Sequence, residues 1–250
     1  MIMPPGKDDA ARRGAIASMV AHELRTPLTA AFGALEMMSR AGAPSSPDDP
    51  RTAVLVGLAH RNTQRLLRIV EDCLDLEAST DGRLTLDRTI VEPGDLVTLG
   101  VEGASSVREQ TGVQVISQLH ATRPILGDRA RMVRAISHLV RNAVTFTPPG
   151  TDVTVTASDI ASCDLVRFTV EDRGPGIEPE QRATLFQRFD CREALGRRRV
   201  GGLGIGLAYV RMVAEEHGGV VGATSEPGHT TVWFEVPCGD PRPGTVHLRP

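Results

Sequence analysis

Two long stretches of helical hydrophobic periodicity constrain the fold of this chain more than any other feature. Apolar residues return every three or four positions between Arg12 and Arg40, and again from about Arg51 to Ala78. The turn-rich segment 42–50 separates the two stretches, so they predict an antiparallel helical hairpin. The predicted apolar stripes are Val20, Leu24, Leu28, Ala31, Leu35 and Met38 on the first helix, and Leu55, Leu58, Asn62, Leu66, Ile69, Cys73 and Leu76 on the second.

A single hairpin buries only a narrow stripe on each of its helices. Pairing with a second copy would complete a four-helix bundle, which predicts a homodimer. The alternative is a hairpin that packs against its own chain. The sequence favours the dimer and leaves internal packing as the second possibility.

Beyond Ser79 the pattern changes to short β-branched runs that alternate with shorter helical segments. We therefore predict the fold class α + α/β, in which the helical hairpin precedes an α+β sandwich with a mixed sheet and helices over one face. The predicted strands are 84–90, 113–118, 152–158, 165–172, 220–224 and 230–236, and the predicted helices are 93–109, 129–145, 179–186 and 205–217. The predicted divisions are a flexible leader at 1–11, the hairpin at 12–79, the sandwich at 80–237 and a flexible tail at 238–250.

Composition excludes several classes of protein. Of the 28 Lys and Arg residues only Lys7 is a lysine, and no G-x-x-x-x-G-K-[ST] motif occurs, which excludes P-loop enzymes and eukaryote-type protein kinases. A net charge of −3 gives no broad basic field, so no nucleic-acid partner is expected. No apolar run approaches the roughly 20 residues that span a bilayer. Four scattered cysteines without metal-ligand spacing favour reduced thiols in a cytoplasmic protein.

The segment His22–Leu28 places three polar side chains close together on the first predicted helix. At 100° per residue His22 lies opposite the apolar stripe, so its imidazole is expected to face solvent. Glu23 flanks it, Thr26 follows one turn later on the same face, and Pro27 is expected to bend the helix. A neutral imidazole can attack phosphorus while a carboxylate accepts its proton. A lone surface histidine carries no such meaning, so the interpretation depends on motifs further along the chain.

An acidic residue and two glycines follow one of the predicted strands. Asp172 ends that strand, and Gly174 and Gly176 come directly after it. A carboxylate in this place can accept a hydrogen bond from the exocyclic amine of a purine, and the glycines allow a turn and close approach of a ligand. A D-x-G turn after a strand is also common in unrelated proteins, so this motif is weak by itself.

Two other features favour a nucleotide with a bound cation. A second glycine-rich segment opens a predicted helix, whose backbone amides are suited to bind phosphate. Asn142, on the predicted helix 129–145, offers a hard amide oxygen of the kind that suits Mg²⁺. Each feature alone has an ordinary structural explanation, whereas their order along the chain is a strong signal. The glycines of the second segment are Gly202, Gly204 and Gly206.

In this order the motifs resemble the catalytic core of a two-component sensor histidine kinase, over about residues 12–237. The resemblance implies a dimerisation and histidine-phosphotransfer hairpin at 12–79. It also implies an ATP-binding domain at 80–237, of the kind shared with Hsp90, MutL and DNA gyrase. The matching motifs are the H box at 22–28, the N box at 131–147, the G1 box at 172–177, the F box at 185–189 and the G2 box at 201–207.

The resemblance also implies roles for individual residues. His22 would be phosphorylated with ATP and Mg²⁺ as cofactors, and would pass the phosphoryl group to an aspartate on the receiver domain of a response regulator. Glu23 would assist as a base, Asn142 would hold Mg²⁺ and Asp172 would bind adenine. The stretch 178–200 would be a mobile lid over ATP. A polar residue at the place of Thr26 often helps such kinases to dephosphorylate their regulator.

The chain departs from the family pattern at three places. His138 stands where the N box often has an asparagine, one turn before the proposed metal ligand. Thr145 replaces a common basic residue, and Leu203 replaces a threonine between the glycines of the G2 box. These substitutions leave the proposed Mg²⁺ ligand and the glycines in place.

Two other functions fit parts of the sequence. A non-catalytic dimeric phosphotransfer or scaffold protein with a decayed nucleotide site would have lost the asparagine, the aspartate and the glycines, which this chain retains. A serine kinase or ATPase on the same nucleotide-binding fold, as in anti-sigma factors, would leave the H box and the hairpin unexplained. The sequence therefore favours an ATP-dependent protein-histidine kinase.

Overall fold

A computed structural model describes residues 7–40, 49–160, 162–187 and 204–239 of the chain. It forms two compact units. The first contains the chain up to Glu77, and the second contains the chain from Ala78 to Asp190 and from Gly204 onward. Within the described ranges, no helix combines the length and the apolar character that a membrane span requires. Cys163 and Cys238 are free thiols.

The two long helices at the start of the chain are confirmed. Helix α1 spans Lys7–Ser39 and helix α2 spans Pro50–Thr80. The leader predicted at 1–11 is wrong from Lys7 onward, because α1 already begins there and no glycine or proline lies between Lys7 and Arg13 to stop it. Helix α1 continues through Pro27, so this proline does not end the helix. Most of the predicted connection, residues 41–48, lies outside the described residues.

A single hairpin buries only part of the predicted apolar stripes. Ala34, Leu55 and Ala59 form a buried cluster, with Met38 and Leu58 partly buried against it. Leu28 and Leu35 also belong to the predicted stripe of α1, and each is 56% exposed in the single chain.

The predicted mixed sheet is confirmed. It has five strands in the order β2-β4-β5-β7-β6, with β2 and β4 parallel and the other neighbours antiparallel. A separate two-stranded antiparallel sheet pairs β1 with β3. The strands are β1 Arg88–Val91, β2 Gln114–Leu119, β3 Ile125–Asp128, β4 Asp152–Ile160, β5 Leu165–Asp172, β6 Val220–Glu226 and β7 His229–Pro237.

Helices pack on the sheet around a core of alternate strand residues. Phe168 of β5 and Phe234 of β7 stack with their ring centroids 4.9 Å apart. The buried residues of the long central helix, α5, complete the core together with α3 and α7. The helices of this unit are α3 Pro93–Glu102, α4 Ser105–Thr111, α5 Arg129–Phe146, α6 Pro179–Arg182 and α7 Gly206–Glu216.

Two predicted helices need correction, and one strand was missed. The helix predicted at 93–109 is two helices, with Gly103 between them, where a Cβ would lie 2.9 Å from Ser137 Oγ of α5. Strand β3 was not predicted, because its four residues include Gly127 and show no alternation that stands out before the strand pairs with β1. The helix predicted at 179–186 ends at Arg182 and continues as turns.

Helix α5 is held at its start by a buried histidine from the end of α7. Asp128 caps α5 by accepting a hydrogen bond from the backbone N–H of Arg131 at 3.1 Å. The backbone N–H of Asp128 donates to Nε2 of His217 at 2.9 Å. The other ring nitrogen, Nδ1, lies 2.7 Å from the carbonyl oxygen of Val213 and donates to it. Both contacts together require a neutral imidazole.

Protonation of His217 should therefore destabilise this unit. Burial lowers the pKa of His217, as do the cations of Arg88 and Arg131, whereas the hydrogen bond to Val213 and the charge of Asp128 oppose this effect. Below the ordinary histidine pKa of 6.5 the unfolded chain binds more protons than the folded one. The free energy of unfolding must then fall as the pH decreases.

We expect the thermal unfolding midpoint of the wild type to fall between about pH 7.5 and about pH 5.5. His217→Gln should show a smaller fall, because the glutamine oxygen can accept from Asp128 but does not titrate. His120→Gln, at an exposed position, is the matched control and should behave as the wild type. An identical pH dependence in His217→Gln and the wild type would contradict this explanation.

Candidate active site

One face of α5 brings the two glycine-rich segments to the same place. His138, Asn142 and Phe146 are spaced four residues apart and so share that face. A Cβ added to Gly206, the first residue of α7, would lie 3.0 Å from Nδ1 of His138. A Cβ added to Gly174 would lie 3.2 Å from the carbonyl oxygen of Phe146. Asn142 therefore lies between the two glycine segments, one helical turn from each contact.

The amide of Asn142 is available to a ligand. The side chain is partly exposed and makes no hydrogen bond within the residues that the structure describes. In the same residues, no group of three or more His, Cys, Asp or Glu side chains is arranged to hold a metal ion. A cation at this place would depend on the Asn142 oxygen and on oxygens of the ligand itself, which fits the preference of Mg²⁺ for few protein ligands.

Asp172 lies at the end of β5, where it is only 7% exposed. Its Oδ1 atom accepts a hydrogen bond from the backbone N–H of Gly174 at 2.7 Å, which fixes the carboxylate. Its Oδ2 atom makes no hydrogen bond to any described residue and remains open to a donor. Burial raises the pKa of Asp172, although the Gly174 hydrogen bond and the charge of His229 lower it in part.

Two buried hydroxyl groups lie beside this carboxylate and were not predicted. Thr230 of β7 is the cross-strand partner of Asp172, and its Oγ1 lies 2.9 Å from Oγ of Ser225. The Ser225 hydroxyl also accepts a hydrogen bond from the backbone N–H of Ile177 at 2.8 Å. Both residues resemble ordinary strand residues in the sequence. Only the register of β5, β6 and β7 places them at the site.

Positive φ angles explain two of the glycines in these motifs. Gly176 has φ of 90° and Gly204 has φ of 62°, a conformation that other residues rarely adopt. Gly204 leads into α7, and the residue at the N-cap, Ile205, provides no side-chain hydrogen bond to the first turn. The backbone amides from Gly204 to the first turn of α7 are therefore suited to bind an anion. Gly202 lies outside the described residues, as do the rest of 201–203 and the predicted lid beyond Gln187.

The polar residues of the H box lie on α1 in the first unit. His22 is exposed, as predicted, and so is Thr26, whose hydroxyl donates to the carbonyl oxygen of His22 at 3.3 Å. The Glu23 carboxylate accepts a hydrogen bond from Nη2 of Arg65 on α2 at 3.1 Å. Arg65 was missed, because its partner is 42 residues away and the register of the hairpin cannot be seen in the sequence.

Two family models match the chain. The His Kinase A (phospho-acceptor) domain matches residues 12–82. The histidine kinase-, DNA gyrase B- and HSP90-like ATPase matches residues 127–240. The chain belongs to the two-component sensor histidine kinases. It contains the histidine kinase catalytic core that the H, N, G1 and G2 boxes indicate.

Similar proteins include other sensor kinases. Over 211 residues this core is 34% identical to the sensor protein DivL of Caulobacter vibrioides, covering 84% of this chain and 26% of DivL. Over 219 residues it is 33% identical to the probable sensor histidine kinase TcrY of Mycobacterium tuberculosis, covering 86% of this chain and 44% of TcrY. The chain thus spans less than half the length of these relatives.

Solved histidine kinase structures share the fold. Full-length ShkA in complex with AMPPNP superposes with a TM-score of 0.62 and 28% identity, covering 90% of this chain and 46% of ShkA. The histidine kinase AdeS of Acinetobacter baumannii superposes with a TM-score of 0.61 over 88% of this chain and 98% of AdeS. Its 22% identity supports the fold alone.

The buried Asp172 carboxylate should reduce the stability of the unliganded kinase core. Because the folded state raises its pKa above the ordinary 3.8, ionisation at neutral pH costs free energy of folding. Asp172→Asn removes this cost and keeps an oxygen that can accept from Gly174. We expect a higher unfolding midpoint at neutral pH, by about 2–4 °C for each kcal/mol recovered.

Thermal unfolding without nucleotide measures this effect. The difference from the wild type should shrink as the pH decreases toward the ordinary carboxyl pKa, since the wild-type side chain then becomes neutral. Asp152→Asn, at an exposed position, is the control and should change little. A lower midpoint for Asp172→Asn at neutral pH would show that the ionised carboxylate stabilises the fold.

Proposed function

We propose that this chain phosphorylates itself on His22 with ATP and passes the phosphoryl group to an aspartate on the receiver domain of a response regulator. The observation that carries the proposal is the convergence of both glycine segments on the α5 face around Asn142. The same chain also carries an exposed histidine on a helical hairpin. The hairpin at 12–79 is the proposed phosphotransfer and dimerisation domain, and residues 80–237 are the proposed ATP-binding domain.

The proposed nucleotide site assigns one task to each described motif. The open Oδ2 of Asp172 accepts a hydrogen bond from the exocyclic amine of adenine. The amides that follow Gly204, and those at the first turn of α7 from Gly206, bind the phosphates. Gly174 and Gly176 give the base room, and Gly202 and the lid at 178–200 complete the site by family resemblance. The AMPPNP complex of ShkA supports a nucleoside triphosphate as the ligand.

Asn142 is the proposed Mg²⁺ ligand. Its unbonded amide oxygen fits a cation that takes most of its other ligands from water and phosphate. Bound there, Mg²⁺ would offset negative charge on the phosphate oxygens of ATP. Asn142 itself fixes the position of that charge relative to the two glycine segments.

The H box supplies the nucleophile and the proposed base. A ring nitrogen of neutral His22 attacks the γ-phosphorus, so that an N–P bond forms while the bond to the ADP oxygen breaks. Glu23 accepts the proton that the ring loses, and Arg65 holds that carboxylate between the two helices of the hairpin. The phosphoryl group then leaves the histidine for a carboxylate oxygen of the regulator.

We expect incubation with Mg²⁺ and γ-labelled ATP to label His22. The label should be acid-labile and base-stable, as a phosphoramidate is. His22→Gln should abolish labelling, whereas His60→Gln, exposed on α2, should keep it. Asn142→Ala and Asp172→Asn should also abolish labelling while the protein stays folded.

Two results of these experiments would contradict the proposed kinase function, and a third would favour a scaffold function. Undiminished labelling of His22→Gln would contradict the assignment of the phosphoacceptor. ATP binding by Asn142→Ala and Asp172→Asn equal to that of the wild type, measured calorimetrically with Mg²⁺, would contradict the nucleotide site. A wild-type protein that dimerises but neither binds ATP nor becomes labelled would favour the scaffold function.

The proposed homodimer rests on apolar side chains that one hairpin leaves exposed. Leu28, Phe32 and Leu35 on α1 are 56%, 64% and 56% exposed, and they follow one another at helical spacing. Leu67, Val70 and Leu74 on α2 form a second such row, with exposures of 57%, 45% and 59%. Apolar rows of this kind mark surfaces that bind a partner, and a second hairpin would complete a four-helix bundle.

We expect light scattering to give twice the mass of one chain. Leu67→Glu should shift the protein toward the monomer, because burying an unpaired carboxylate in the bundle is costly. Arg61→Glu, at an exposed position on the same helix, should leave the dimer intact. A wild-type chain that stays monomeric at every concentration would contradict the proposal.

Thr26 is the proposed residue for dephosphorylation of the regulator. A hydroxyl can orient a water molecule in line with an acyl phosphate, whereas attack of the imidazole on ATP does not require it. Thr26→Ala should therefore keep most labelling of His22 and slow the loss of phosphate from the regulator, and Thr26→Ser should restore that loss. The hydrogen bond from Thr26 to the His22 carbonyl offers a purely structural role instead, which predicts that both activities fall together.

A further inference from the structure

His138 occupies the space between α5 and the start of α7. Its side-chain atoms Nδ1, Cγ and Cβ lie 3.0, 3.5 and 3.7 Å from the place that a Cβ on Gly206 would take. The ring therefore lies directly against the backbone of the first α7 residue. The residue stands one turn before Asn142, where kinases of this family often have an asparagine.

His138 limits the space at position 206, where the backbone angle does not itself require a glycine. Gly204 and Gly176 have positive φ angles, but Gly206 is not among the glycines with such an angle. To make room for a Cβ at Gly206, the His138 ring or the helix would have to shift by a few tenths of an ångström. The histidine and the glycine therefore form a matched pair.

The imidazole packs against the side chain of a buried tyrosine on α7. Its centroid lies 5.3 Å from that of Tyr209, which is fully buried, at an interplanar angle of 54°. The guanidinium of Arg134 lies 5.7 Å from the centroid of the same tyrosine ring. The Nε2 atom of His138 is buried. This environment suits a residue that sets the distance between two helices.

We infer that His138 is a positioning residue for the phosphate-binding amides. By filling the gap to Gly206 it sets the separation of α5 and the first turn of α7, and with it the separation between Asn142 and those amides. This role rests on the proposed function, because it concerns binding of the ATP phosphates. It differs from that of a direct phosphate ligand, since the ring contacts the helix that carries the amides.

A double-mutant cycle between the two positions tests this role. Gly206→Ala should raise the Kd for Mg-ATP about tenfold, because the added Cβ displaces the first turn of α7 from His138. In the background of His138→Ala, which lacks the Cγ and Nδ1 atoms that the added Cβ would meet, Gly206→Ala should raise the Kd far less. Calorimetry on the full chain gives each Kd, well below the unfolding temperature of every variant.

A control separates positioning from general loss of packing. Ile136 is fully buried on α5 against Gly100 of α3. Ile136→Val should lower the unfolding midpoint without changing the Kd for ATP. His138→Ala should lower the midpoint and also raise the Kd.

Three results would overturn the role of His138, and the third would overturn the proposed function as well. One is an equal rise in the Kd on Gly206→Ala in the wild-type and His138→Ala backgrounds. If the wild type still binds ATP, this result would overturn the role of His138 alone. Another is an unchanged Kd in His138→Ala despite a lower midpoint, which would make the histidine an ordinary core residue. A wild-type chain that does not bind ATP would overturn the proposed function, and this role with it.

Discussion

The packing of α5 against the sheet and α7 is the contact on which the candidate site depends. One face of this helix is buried in the core, while the face that carries His138, Asn142 and Phe146 meets both glycine segments. If α5 rotated about its axis by a fraction of a turn, Asn142 would move away from the glycine segments. The hydrophobic core therefore sets the geometry of the polar site.

The orientation of α5 is in turn fixed from its first residue. The Asp128 side chain caps the helix, and the Asp128 backbone donates to the buried, neutral His217 at the end of α7. The two helices that frame the site are thus joined at the end remote from it by a hydrogen bond, and near it by the contact between His138 and Gly206. Two contacts at opposite ends of a helix pair restrict both its separation and its crossing angle.

Sequence reasoning succeeded where the signal was local. The bounds of β5, the helix that carries Asn142 and the exposure of His22 follow from periodicity and turn residues within one segment. It failed where a feature depends on distant pairing, as for strand β3, Arg65 beside Glu23, and Thr230 opposite Asp172. Periodicity also predicts the apolar face of α1, but it does not show which partner covers that face. The close contact at Gly206 could not be predicted either, because it depends on the position of His138 on another helix.

The short turn that holds Asp172 has a consequence for the cost of ligand binding. The N–H of Gly174, two residues further along the chain, orients the carboxylate before any ligand binds. The donor of a ligand would therefore meet an acceptor whose direction is already set, and little side-chain entropy would be lost when it binds. Burial of this carboxylate during folding lowers the free energy of unfolding. The fixed Asp172 carboxylate thus favours ligand binding and lowers the stability of the unliganded protein.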